Sequence, residues 1–201
     1  MAVELQTARL IIATPTVDRA AGALDFVQRN AAHLKPWSPP APAGVETIEH
    51  WLDIVEAANQ SLAAGTLVRL WLSPRNDPLR VIGSIGYSQI HRGPFCNAVL
   101  GYQIDAQCEG QGLMREALEA SNAYMFNEQK LHRLAANYRP ENTRSGRLLQ
   151  RMGFTIEGYT KEYLFIDGAW RDHILTSKVN PAFEASWIAG AAPRTVTPTM
   201  R

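Results

Sequence analysis

The run Gly101-Tyr-Gln-Ile-Asp-Ala-Gln-Cys-Glu-Gly-Gln-Gly-Leu-Met-Arg115 is where residue types and spacing first imply chemistry. A strand pattern ends near Asp105 and a helical pattern begins near Gly112, with Gln107-x-x-Gly110-x-Gly112 between them. A helix start presents unpaired backbone N–H groups and the positive end of the helix dipole. Glycines let the main chain come close to a ligand and turn left-handed. Together these make an anion cradle suited to a diphosphate. Each favourable charge interaction at such a terminus is worth about 0.3–2 kcal/mol, so several donors on one diphosphate suffice to hold it. The dinucleotide fingerprint is excluded, because Arg115 stands where it needs a third small residue. A P-loop is excluded too, because Leu113-Met114 follows Gly112 in place of Lys-Ser/Thr. The bland alternative is a tight strand-to-helix turn that binds nothing.

Other reactive side chains are sparse. Cys96 and Cys108 do not make a disulfide framework, and neither has an obvious base beside it in sequence. His91, His132 and His173 show no metal-ligand spacing, so no metal is expected. His173 could still face a cleft from the hairpin that carries it. Trp37, in the Pro-rich loop His33-Leu-Lys-Pro-Trp-Ser-Pro-Pro-Ala-Pro, has two readings: a binding element, or an anchor for its loop on the core.

The elements that must position these groups follow from periodicity. Residues 8–13 read as a strand and Asp18–Asn30 as a helix. The segment 47–63 repeats Ile48, Trp51, Leu52, Val55 and Leu62 at helical spacing, a packing stripe. Leu67–Leu72, Arg80–Ile90 and Asn97–Ile104 read as an antiparallel meander. Gly112 to about Glu128 is helical, Leu131–Tyr138 a strand, and Asn142–Met152 a helix with Asn142 as its N-cap and Gly153 at its stop. Phe154–Ile166 and Ala169–Val179 are strands joined by Asp167-Gly168, a strong hairpin signal. After Pro181 the Ala/Pro/Thr-rich tail is expected to fray.

The 201 residues fit one domain, residues 1–180, with 181–201 as a flexible tail. A net charge of +1 offers no broad argument for nucleic acid or an anionic membrane. No apolar run is long enough to span a bilayer, and no secretory signal is visible, so a cytoplasmic protein is expected, a monomer or weak dimer.

Gln107-x-x-Gly110-x-Gly112 resembles the coenzyme A signature of the GNAT superfamily of N-acetyltransferases, and the order of elements fits that fold over about residues 5–179. Five further stretches resemble its RimJ/RimL branch, the ribosomal-protein N-terminal acetyltransferases. They are His33-Leu-Lys-Pro-Trp37, Gly110-Gln-Gly-Leu-Met114, His132-Arg-x-x-Ala-Asn-Tyr138, Asn142-x-x-Ser145 and Asp167-Gly-x-Trp-Arg-Asp-His173. The resemblance implies an α/β (α+β) fold. Its mixed, mostly antiparallel seven-stranded sheet would be splayed between the fourth and fifth strands and flanked by about four helices. Acetyl-CoA would be the cosubstrate, with no metal. Gln103, Ile104 and Asp105 would offer main-chain contacts to pantetheine. Gln107, Gly110, Gln111, Gly112, Leu113 and Met114 would hold the diphosphate. Asn137, Asn142 and Ser145 would sit along the pantetheine arm, and Arg144 near the 3′-phosphate. The bland reading of a solvated helix face fits Arg147 better. Trp37, Tyr102, Tyr163 and His173 would frame the acceptor.

The acceptor amine must be neutral to attack. At pH 7 deprotonation costs about 1 kcal/mol for an N-terminal amine and about 4.6 kcal/mol for lysine. An N-terminal acceptor therefore asks less of a base. That matters, because many relatives place a glutamate on the fourth strand where this chain has Val99. Glu162 is the substitute candidate; its alternative is a solvated strand carboxylate. By the resemblance, Ser145 lies near the coenzyme sulfur and would protonate the leaving thiolate; its alternative is a cap that satisfies a backbone group. The expected reaction is transfer of acetyl to a protein N-terminus by direct attack. The acceptor would be a ribosomal protein with a small, alanine-like first residue. A small-molecule amine acceptor and a non-catalytic coenzyme A-binding or interaction module are the alternatives.

Overall fold

The computed structural model describes residues 2–188. Eight strands form one sheet: β1 Glu4–Gln6, β2 Leu10–Ala13, β3 Val68–Pro74, β4 Gly83–His91, β5 Asn97–Ile104, β6 Arg133–Tyr138, β7 Thr155–Ile166 and β8 Ala169–Val179. Their spatial order is β1-β2-β3-β4-β5-β6-β8-β7. The expected count of seven is one short. The three-residue β1 is too brief for periodicity to reveal, and it exists because Leu5 pairs with Ile12 across the edge. The strands expected as fourth and fifth are therefore β5 and β6.

Four helices flank the sheet: α1 Ala20–Leu34, α2 Ile48–Ala64, α3 Leu113–Asn127 and α4 Thr143–Arg151. The alternation of β4 decides which face each packs on. Ile85 and Tyr87 are buried with Leu100, Leu118 and Met125 in the core under α3 and α4. On the other face, Trp71 of β3 packs with Ala23 and Phe26 of α1 and Trp51 and Val55 of α2. The fully buried apolar side chains here contribute about 1.5–3 kcal/mol each.

Helix α1 runs four residues beyond its expected end. Pro36 stops it only at Lys35–Trp37, a single tight turn that accepts proline near its start. Asn142 caps α4, its Oδ1 accepting from the Ser145 N–H at 3.1 Å. Asp167 and Gly168 both take positive φ, +48° and +75°, as a two-residue hairpin turn of matching twist requires. The chain after Pro181 does not leave the fold at once. Phe183 packs edge-on against His132, and Trp187 carries Lys130 Nζ 4.2 Å above its ring. The rest of the tail, 189–201, lies outside the described residues. Among the described residues no helix is long and apolar enough to cross a membrane.

The sheet opens at one place. β5 and β6 pair in parallel from Asn97↔Arg133 to Leu100↔Ala136, with α3 in the crossover that parallel strands need. Beyond that, β5 stays with β4 to Ile104 while β6 stays with β8 to Tyr138. From Gly101 and Asn137 onward the two strands diverge. Their facing edges carry backbone N–H and C=O groups without ladder partners, and such groups need one.

Candidate active site

A cavity of about 1010 Å³ fills the opening. Its outer end is the turn from β5 to α3. Gly110 and Gly112 hold φ of +72° and +76°, a left-handed backbone that side chains strain to adopt. A Cβ at Gly110 would meet nothing within 4 Å, so its surface is bare backbone facing open space. No side chain caps α3, which leaves its first-turn N–H groups for a ligand.

The turn is clamped from behind. Asp105 is 1% exposed. Its carboxylate accepts from the Gln107 N–H at 2.9 Å and from Arg29 Nε at 2.8 Å, while Asn30 Oδ1 accepts the Ala106 N–H at 3.0 Å. Burial pushes the Asp105 carboxyl up, but these hydrogen bonds and the Arg29 charge outweigh it and hold the group below its ordinary value. Gln111 Nε2 donates to the Gln107 carbonyl at 2.7 Å, and Arg9 Nη1 to the Gln111 carbonyl at 2.9 Å. Gln107 and Gln111 thus brace the turn from its exposed side, and neither side chain lines the cavity. Cys108 lines it, and burial and the nearby Asp105 charge raise its thiol above the ordinary value. Arg144 pairs with Glu109 at the rim, and Glu109 also reaches His33 Nε2 at 3.4 Å.

At the inner end the Tyr102 hydroxyl and Ser145 Oγ are 2.7 Å apart, and either can donate. Burial is the main reason the Tyr102 phenol is pushed up to about 12, with the Ser145 hydrogen bond opposing. Tyr102, expected to frame the acceptor, lines the cavity with its hydroxyl on Ser145. Asn137 Nδ2 donates to the Tyr163 hydroxyl at 3.0 Å, and the Tyr163 ring lies 5.2 Å from that of His173. His173 is 3% exposed and lines the cavity. Its Nδ1 lies 3.0 Å from the Arg171 carbonyl. A carbonyl only accepts, so Nδ1–H is the donor in this contact and Nε2 takes no part in it.

The remaining wall comes from the Lys35–Trp37 turn. Trp37 is 38% exposed, lines the cavity, and lies 5.4 Å from the Arg139 guanidinium carbon. It faces the site and the Arg139 guanidinium, and belongs to neither core cluster. Gln103 Nε2 donates to Ser38 Oγ at 2.8 Å, and Lys35 Nζ approaches Asp167 of the hairpin tip at 3.6 Å.

Of the residues named from sequence, Gln103, Ile104, Gly110, Gly112, Leu113, Met114, Asn137, Asn142 and Ser145 line this one cavity, as do Trp37, Tyr102 and His173. Asp105 lies behind the turn, and Tyr163 reaches the site through its contacts with Asn137 and His173. Glu162 stands apart. It sits in a bulge where Lys161–Tyr163 oppose Asp172 alone, with φ of +49° and an exposed side chain that does not line the cavity. The bulge interrupts the inward–outward alternation of the strand at this residue. Sequence reasoning missed Arg69 and Tyr138, which also line the cavity. A Cβ on Gly146 would lie 2.8 Å from the Tyr138 ring, and a glycine directly after Ser145 was the only local signal of that contact. Among the described residues no group of His, Cys, Asp or Glu could hold a metal ion.

Comparison with known proteins agrees with this geometry. The sequence model of the acetyltransferase (GNAT) domain matches residues 9–155. The [ribosomal protein uS5]-alanine N-acetyltransferase of Escherichia coli K12 is 41% identical over 180 residues, covering 89% of this chain and 92% of that protein. The crystal structure of the ribosomal-protein-S5-alanine acetyltransferase from Vibrio fischeri superposes with a TM-score of 0.86 at 33% identity, over 90% of this chain and 99% of that one. Mycobacterium smegmatis RimJ, solved in complex with CoA-disulfide, superposes with a TM-score of 0.80 at 25% identity, over 89% and 86%. With both its sequence and its splayed sheet matched along nearly the whole domain, this chain belongs to the GNAT acetyltransferase family, close to the RimJ type.

Proposed function

We propose that this chain acetylates the N-terminal alanine of ribosomal protein uS5, with acetyl-CoA as donor and the cytoplasm as its place of action. One observation supports the chemistry above all others. A continuous cavity joins the bare-backbone turn at Gly110–Gly112 to the Tyr102–Ser145 hydroxyl pair, along the free edge of β5. Likeness over 89% of the chain to an enzyme named for uS5 alanine supports the acceptor.

In this reading the Gly110–Gly112 turn and the α3 N-terminus take the diphosphate. The β5 backbone at Gly101–Ile104 hydrogen-bonds the pantetheine amides, with Asn137 and Asn142 alongside. The neutral α-amine attacks the thioester carbonyl carbon, and the C–S bond breaks. Ser145 gives its proton to the leaving thiolate and regains one from Tyr102. His173 Nε2 takes the proton that the amine loses; Glu162 does not line the cavity. A backbone N–H of β5 stabilises the oxyanion.

The test is thiol release from acetyl-CoA with a peptide copying the uS5 N-terminus, followed by intact mass of the product. A single acetyl group on the α-amine is expected, with no release on polyamines or aminoglycosides. Release on those amines but not on the peptide would overturn the acceptor assignment.

A further inference from the structure

Arg69 is the group this chemistry leaves without a task. It lies on β3 in register with Gly86 of β4, and Gly86 is in register with Gly101 of β5. Directly opposed residues of antiparallel strands share a face. The arginine therefore projects beside two positions that carry no side chain. A Cβ at either glycine would meet nothing within 4 Å. The neighbouring row, Trp71–Ser84–Gln103, is where α1 and α2 cover the sheet. The row on the other side is Ser88–Val99. Beyond the helices, Arg69, Gly86, Ser88 and Gly101 form an open floor of the cavity that leads to the splay.

That floor holds an uncompensated charge. Among the described residues, the Arg69 guanidinium makes no ion pair, whereas Arg9, Arg29, Arg133 and Arg144 each meet a carboxylate. Burial lowers the Arg69 pKa from its ordinary value. A carboxylate at position 99, on the same face and one row from Arg69, would have answered this charge. Val99 does not.

We propose that Arg69 is a specificity-determining residue that binds an aspartate or glutamate side chain close to the acceptor N-terminus. This rests on the N-terminal acceptor reading above. A partly desolvated guanidinium gains most from a carboxylate, which it meets with two parallel charged hydrogen bonds; a neutral carbonyl offers neither. The reach also fits. Two strand spacings of about 4.8 Å separate the Arg69 and Gly101 backbones. An extended peptide advances about 3.3 Å per residue. With its amine at the splay, the acidic side chain belongs at its second to fourth position.

Decapeptides beginning with alanine, carrying one glutamate scanned through positions two to six and matched to glutamine controls, test this by steady-state kinetics. Wild type should favour glutamate about tenfold in kcat/KM at one of positions two to four, mainly through KM. In Arg69→Gln that ratio should fall to about one. Arg69→Lys should restore part of it, and Arg69→Glu should favour a lysine peptide. Calorimetry of acetyl-CoA binding checks that each variant is folded. Calorimetry of peptide binding with CoA present separates the two claims. Charge-dependent binding through Arg69 without turnover sinks the N-terminal transfer reading alone. Turnover with no glutamate preference, or an equal loss on both peptides in Arg69→Gln, overturns the Arg69 assignment.

Discussion

Ser145 does two jobs from one position. Its N–H is tied to the Asn142 cap and its hydroxyl to Tyr102, so the start of α4 places the hydroxyl beside the phenol. Ser145→Ala should lower kcat about 100-fold, the low end of what a positioned acid contributes. Acetyl-CoA affinity by calorimetry should change little; equal losses in kcat and affinity would show a binding role only. The pH profile tests the Tyr102 side. Log kcat/KM should rise toward about pH 8 as the acceptor amine loses its proton. It should then stay level to about pH 10, because a phenol raised to about 12 remains protonated. An alkaline fall near pH 9 that vanishes in Tyr102→Phe would contradict this. At this scale the serine was legible through Asn142-x-x-Ser145. Its partner was not, because 43 residues separate the two and no local pattern links them.

The element that matters most is the turn between β5 and α3. Its glycines are there for φ and bare backbone, since no crowding surrounds Gly110. Gly110→Ala should weaken acetyl-CoA binding about tenfold, through about 1–2 kcal/mol of left-handed strain and a methyl group in the phosphate path. The melting temperature of the coenzyme-loaded protein should fall more than that of the free protein. Equal shifts would mean that the turn is structural. The glycine spacing and the flanking strand and helix could be read directly. The Asp105 clamp could not: Arg29 and Asn30 come from α1, 76 residues earlier, and only packing of α1 beside the turn brings them in.

At the scale of the molecule, Asp105 paired with Arg29, Glu116 with Arg9 and Glu157 with Arg133 are among the carboxylates that tie distant segments together. For Asp105 and Glu116 burial opposes the hydrogen bonds and arginine charge, and loses; for Glu157 the Arg133 and Ser177 hydrogen bonds dominate. All three end below their ordinary values. A depressed carboxylate adds stability above its unfolded pKa and gives it up as pH falls through the folded one. Urea midpoints should therefore be level above about pH 5 and drop steadily below about pH 4. Asp105→Asn should lower the plateau and flatten the acid decline. A variant that lowers the plateau while leaving the acid slope intact would remove Asp105 from this account.

What the sequence by itself determined is local. Helix caps, the Asp167–Gly168 turn and the glycine-spaced cradle depend on backbone conformations set within a few residues, and these the residue types dictate. What the tertiary structure decided is which distant side chains share a space. The short edge strand β1 needed β2 as a partner to exist. The bulge at Lys161–Tyr163 turned Glu162 out while His173 stayed in. The register of three strands set Arg69 beside two glycines. Register and bulges answer to packing between surfaces, and no spacing along one chain segment encodes them.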